Sequence, residues 1–135
     1  MGTSIRRNLS TKSRYYISKH RRLELEHFCL QYGEWKTSLN AINAFPVCHY
    51  QEVKGSIISD PTMKTALRAS YFKEKIAMVE KAAAECDDQL GDYILEAVTT
   101  GKTFSYFEAH GIPCCRDTFY DRLRKFYYIL SRIRI

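Results

Sequence analysis

The chain has 135 residues, 45% hydrophobic and 27% charged, with ten Tyr and seven Phe beside a single Trp. That length suits one domain able to bury about two thirds of its unfolded surface, so no disulfide scaffold is required, and five irregularly spaced cysteines argue for a reducing cytoplasm. The net charge of +6 sits at the ends: residues 1–22 hold seven basic side chains and no acidic one, residues 23–101 carry a net −5, and residues 102–135 a net +4, a distribution that favours a polyanionic partner.

No apolar run approaches the roughly 18 residues of a membrane span, and the start MGTSIRR lacks a signal peptide's apolar core. A cytoplasmic protein with no membrane partner is expected. Met1-Gly2 does not make a myristoylation site, because Arg6 stands where Ser or Thr is needed. Residues 1–14 are too polar and basic to bury themselves and are expected as a flexible tail. From about Tyr15, Leu25, Phe28, Cys29, Tyr32, Trp35 and Leu39 recur mostly at steps of three and four, the spacing of one helical face. Gly33 is placed to bend or split that helix.

Residues 43–60 lose the periodicity and contain Pro46 and Gly55, which predicts an irregular connection with a short extended piece at Ser56 to Ser59. Asp60-Pro61 marks a helix start, since an Asp side chain can accept from first-turn amides and proline has no amide to waste at the first helical position. Ala69, Phe72, Ile76, Val79, Ala83 and Cys86 follow as an apolar seam, too short for a coiled coil, that packs within the chain or forms a homodimer interface. Asp87, Asp88 and Asp92 suit the positive end of the next helix dipole. Leu90, Ile94, Ala97 and Val98 supply its inner face, and Gly101 can close it in the left-handed conformation. Residues 15–101 are thus a helical region.

Residues 102–135 form the most distinctive unit. Thr103 is a plausible N-cap for a short helix with Phe104 and Phe107 inward, Gly111 allows a reversal, and Ile112-Pro113 makes a stiff link. A longer helix beginning near Cys115 puts Phe119, Leu123, Phe126, Tyr127 and Leu130 on one face. This is the order of a helix-turn-helix, whose second helix meets base edges through its first residues. Arg116, Thr118, Tyr120 and Arg122 are then candidates for base readout, and Arg124, Lys125, Arg132 and Arg134 for phosphate contact, supported by Arg6, Arg7, Arg14, Arg21 and Arg22 from the other basic end. Asp117 and Asp121 are expected to pair with Arg124 and Lys125 along the helix.

The string CRDTFYDRLRKF behind SYFEAHGI resembles the recognition helix of the fourth region of sigma factors, and more closely the C-terminal domain of RinA/ArpU-type phage transcriptional regulators. In both, a small residue, Arg, any residue, Thr and a hydrophobic residue begin the helix, as Cys115 to Phe119 do here. Ser59-Asp60-Pro61-Thr62 before a long amphipathic helix also resembles the middle of RinA-type regulators, so the similarity covers about Ser59 to Leu130. It implies an all-α protein of temperate phages or prophages that activates late or packaging genes by binding double-stranded DNA. The chain departs from the helix-turn-helix pattern at Phe107, where a small residue is usual, and in the length of its Ile112 to Cys115 link.

Enzymatic readings lack their residues. There is no phosphate-cradling glycine loop, no HExxH and no CxxC, so no cofactor, metal or catalytic residue is expected. His27 with Cys29 and Cys48 with His49 are too scattered for a zinc site, and Cys114 and Cys115 read as small residues at the helix start, with redox sensing beside Arg116 as the sharper alternative. Two functions compete with a DNA-binding regulator: a phage-encoded inhibitor of a host complex such as a CRISPR nuclease (an anti-CRISPR) or RNA polymerase, and a ring-forming, small-terminase-like packaging subunit.

Overall fold

A computed structural model describes residues 13–44 and 61–135, and among these the chain is all-helical. Six helices follow in order: α1 (Lys19–Leu30), α2 (Tyr32–Ala44), α3 (Pro61–Cys86), α4 (Gly91–Thr100), α5 (Phe104–Ala109) and α6 (Arg116–Ile133). The basic tail up to Lys12, the Asp60 cap and most of the expected irregular connection lie outside the described residues. Asn43 and Ala44, expected in that connection, belong to the last turn of α2.

Ser18 caps α1 by accepting from the Arg21 amide at 3.3 Å, which satisfies a first-turn donor. The chain breaks between α1 and α2 at Gln31, whose amide bonds back to Phe28, and Gly33 lies inside α2 with open space around it. The split comes from Gln31 rather than from the glycine. Seven residues apart, Phe28 and Trp35 fall on the same side across this interruption, ring centroids 4.8 Å apart, and both are buried in the common core.

The long α3 packs against α2, α4 and α6. Its seam residues Ile76, Val79, Ala83 and Cys86 are buried with Ala82, so the C-terminal half of the seam serves the chain's own core. At the α3–α4 corner Asp87 accepts from the Gln89 and Leu90 amides, both at 2.8 Å, a local bond that turns the backbone without a helical carbonyl. Gly91 then starts α4 so close to α3 that a Cβ there would lie 2.9 Å from the Ala83 carbonyl oxygen. Leu90, Ile94, Ala97 and Val98 are buried as the spacing predicts.

Gly101 closes α4 with a left-handed φ of 79°. Thr103 stands at the N-cap of α5, although its side chain makes no capping bond. After α5, Gly111 has φ 83°, its amide bonds to Glu108 at 3.2 Å and the Ile112 amide to Phe107 at 3.0 Å. That pair of bonds is a Schellman closure, and it needs a residue free of Cβ strain at Gly111. Ile112 is buried beyond it. The α5–α6 turn is therefore a defined structure and not a slack linker.

Phe119, Phe126, Tyr127 and Leu130 of α6 are buried in the same cluster as Leu25, Phe28 and Cys29 of α1 and the inner faces of α3 and α4. Phe119 lies 5.4 Å from Phe104 and 5.7 Å from Phe107, which docks α5 on α6. Residues 102–135, expected as a helix-turn-helix unit, share their core with the rest of the chain: α6 touches α1, α3 and α4, and one apolar cluster serves all of the described residues.

Candidate nucleic-acid interface

Burial of Phe119, Phe126 and Leu130 fixes which side of α6 faces water. At 3.6 residues per turn the opposite row is Asp117, Asp121, Arg124, Tyr128 and Arg132. Arg116, Asp117 and Thr118 are exposed at the start of the helix and Arg132 near its end, while every residue from Phe119 to Ser131 is at least half-buried. The open parts of α6 are its first turn and the far row.

The expected base-reading residues are dispersed around the helix. Thr118 is exposed, and its hydroxyl lies 3.2 Å from the Cys115 sulfur. Arg116 is exposed but folds back, its guanidinium 5.3 Å above the Phe104 ring. Tyr120 packs against Phe119 at 5.1 Å and lines an open groove of about 350 Å³ between α1, α4 and α6. Arg122 reaches the Asp87 carboxylate of the α3–α4 corner at 3.8 Å and Asp121 at 3.2 Å. Its charge ties α6 to that corner.

Among the expected phosphate contacts, Arg124 lies 4.0 Å from Asp121, three residues back, in place of the expected Asp117. Lys125 is half-buried on the flank facing Cys86, where it and Arg122 favour the thiolate, yet burial still pushes that thiol up to about 11. Arg132 is exposed and donates to the Tyr128 hydroxyl at 3.0 Å. Arg134 lies over the Phe28 ring at 4.2 Å and pairs with Glu24 at 3.3 Å.

The N-terminal basic segment arrives at the same end of the molecule. The Arg21 guanidinium donates to the Ser131 hydroxyl and carbonyl, each at 3.2 Å, and to the Arg134 carbonyl, and it pairs with Glu24 at 2.7 Å. The Tyr15 ring packs on Tyr128 with centroids 5.8 Å apart, and the exposed Arg14 lies 4.8 Å over Tyr15. Arg22 pairs with Glu26 at 3.5 Å, and Arg6 and Arg7 fall outside the described residues. The outcome is one side bearing Arg14, Tyr15, Arg124, Tyr128 and Arg132. Composition alone gave two separate basic ends; the Tyr15–Tyr128 contact and the Arg21 clasp join them.

Cys115 is the N-cap of α6. The Thr118 hydroxyl and the first-turn amides hold its thiol below the usual range, whereas burial raises Cys114. Helix-end donors, and not Arg116, favour the thiolate. His27 is exposed and Cys29 fully buried, so they do not converge on a metal; Cys48 and His49 lie outside the described residues. No helix among the described residues is long and apolar enough to cross a membrane. Compared with protein-family models, curated proteins and solved structures, the chain has no match.

Proposed function

We propose that this protein is a DNA-binding transcriptional regulator that lays the outer row of α6 and its N-terminal segment along a duplex. The observation that carries this reading is the convergence of the basic N-terminal segment and the C-terminal helix on one side, through Tyr15 on Tyr128 and Arg21 on Ser131. Arg14 and Arg132 supply phosphate contacts, and the exposed first turn of α6, with Thr118, supplies base readout. Asp117 and Asp121 repel phosphate, so they steer the backbone of the duplex toward the Arg132 end of the helix. The resemblance of these motifs to those of RinA/ArpU-type regulators extends the proposal to activation of phage late genes.

Fluorescence anisotropy against tiled fragments of the source genome, at two salt concentrations, tests this. The expected result is a preferred fragment and a steep salt dependence whose log–log slope falls by about one for Arg132→Ala or Arg14→Ala, with sequence preference relaxed in Thr118→Ala. Equal affinity for every fragment and for random DNA refutes sequence-specific regulation. Nuclease-resistant co-purification with a host nuclease or RNA polymerase, without DNA binding, replaces it with inhibition of a host complex.

A further inference from the structure

The groove of about 350 Å³ between α1, α4 and α6 lies beside the outer row of α6, not on it. Tyr120, Leu123 and Tyr127 follow at steps of three and four, so they share a flank between the buried face of the helix and that row. Across from them α4 offers only Ala97 and Val98 before Gly101 closes it. These side chains are too small to fill the space between α1 and α6, and the groove is what remains.

Ala97, Val98, Phe119 and Tyr127, all buried, form its floor. The only polar side-chain atom among these four is the Tyr127 hydroxyl. Tyr127 is 9% exposed, and its hydroxyl makes no hydrogen bond among the described residues. That oxygen is not sealed inside the protein; the groove is the opening that its residue lines. An occupant that fills the floor excludes water from this hydroxyl, so it must supply the hydrogen bond itself.

We propose that this groove binds a small, uncharged ring compound whose carbonyl oxygen or ring nitrogen accepts a hydrogen bond from the Tyr127 hydroxyl. The volume lies at the small end for ligand pockets and holds about two fused rings. Phe119, Tyr120 and Tyr127 give it the aromatic lining that suits a flat ring. Burial keeps the Tyr127 phenol protonated, so it has a proton to donate. The charges on the rim are already matched, Glu26 with Arg22 at 3.5 Å and Lys102 with Glu96 at 2.7 Å. A charged ligand would lose its hydration without gaining a free counter-charge. This site is separate from the nucleic-acid side, and it stands whether or not the chain binds DNA.

Titration of the isotope-labelled full chain with quinoline, followed by amide chemical shifts, gives the test. The expected result is saturable shifts centred on the groove, at Leu30, Gly101, Lys102 and Tyr120. Tyr127→Phe removes one oxygen and keeps the ring, so the spectrum of the free chain stays that of the parent away from the site, and quinoline binds about tenfold more weakly. Cinchoninate, the same ring system with a carboxylate opposite its nitrogen, binds the parent chain more weakly than quinoline does. No saturable shift up to the solubility limit of quinoline overturns the proposal, as do shifts centred elsewhere. Equal affinity of the parent and Tyr127→Phe overturns the hydrogen bond and the proposal with it, and cinchoninate binding as tightly as quinoline overturns the uncharged class.

Discussion

Replacing Arg21 by Ala separates structure from binding at the one basic residue whose role the fold most changes. The guanidinium donates to Ser131 Oγ, to the Ser131 carbonyl and to the Arg134 carbonyl, which are groups that the end of α6 leaves without helical partners. A bond from a charged donor stabilises by about 1.5–3 kcal/mol. Here three bonds share one side chain that is 24% exposed, so the loss is about 2 kcal/mol for the whole residue, not three times that. In a chain of this length each kcal/mol moves Tm by about 3–5 °C, and thermal unfolding followed by circular dichroism should show a fall of about 6–10 °C. Arg21→Lys recovers only part, because an ammonium cannot fork across two carbonyls. The salt slope of DNA binding should stay within experimental error of the parent, since this guanidinium is already occupied. An unchanged Tm together with a slope reduced by about one would identify Arg21 as a phosphate contact and refute the clasp.

Three further outcomes follow from single contacts. Gly91→Ala presses a methyl group against the Ala83 carbonyl and should destabilise by about 1–3 kcal/mol through overpacking, measured by urea unfolding, whereas Gly33→Ala, with open space around it, should be neutral or stabilising. Among the described cysteines, iodoacetamide near neutral pH should modify Cys115 before Cys29, Cys86 and Cys114, because hydrogen bonds lower the Cys115 thiol while burial raises those three; Thr118→Val should shift that reaction to higher pH, as mass spectrometry of the labelled peptides would show. Burial holds the Tyr127 phenol well above its ordinary value of 10.0, so its folded form stays neutral while the unfolded form ionises; stability is complete below the ordinary value and falls as pH rises beyond it, and Tyr127→Phe should flatten that alkaline decline in denaturant titrations.

The elements that the sequence foretells are those decided by local chemistry. Steps of three and four mark the inner faces of α3, α4 and α6, Pro61 opens α3, and Gly101 and Gly111 adopt the left-handed closures that their positions suggest. The boundary between α1 and α2 shows the limit of local propensity: Gly33 is the conspicuous residue, but the helical pattern is interrupted at Gln31, two residues earlier, beside the Phe28–Trp35 contact. The outward row of α6 is legible only after its buried face is known, and α6 buries more than one face.

The candidate interface is less legible because its decisive pairings are remote in sequence. Arg21 and Ser131 are 110 residues apart, and Arg122 meets Asp87 from another helix. Each looks like an available cation in a one-dimensional charge count, and each is a fastener in the folded chain. The same folding brings Tyr15 to Tyr128 and sets Arg14 and Arg132 beside them, so the chain uses some of its basic residues to assemble a surface on which others remain open. A one-dimensional charge count therefore does not separate the cations that hold the fold, such as Arg21 and Arg122, from those left open beside Tyr15 and Tyr128, such as Arg14 and Arg132. Under the proposed function, a duplex would meet Arg14 and Arg132 already set side by side through Tyr15 and Tyr128, with the Arg21 clasp holding the two chain ends together before binding begins.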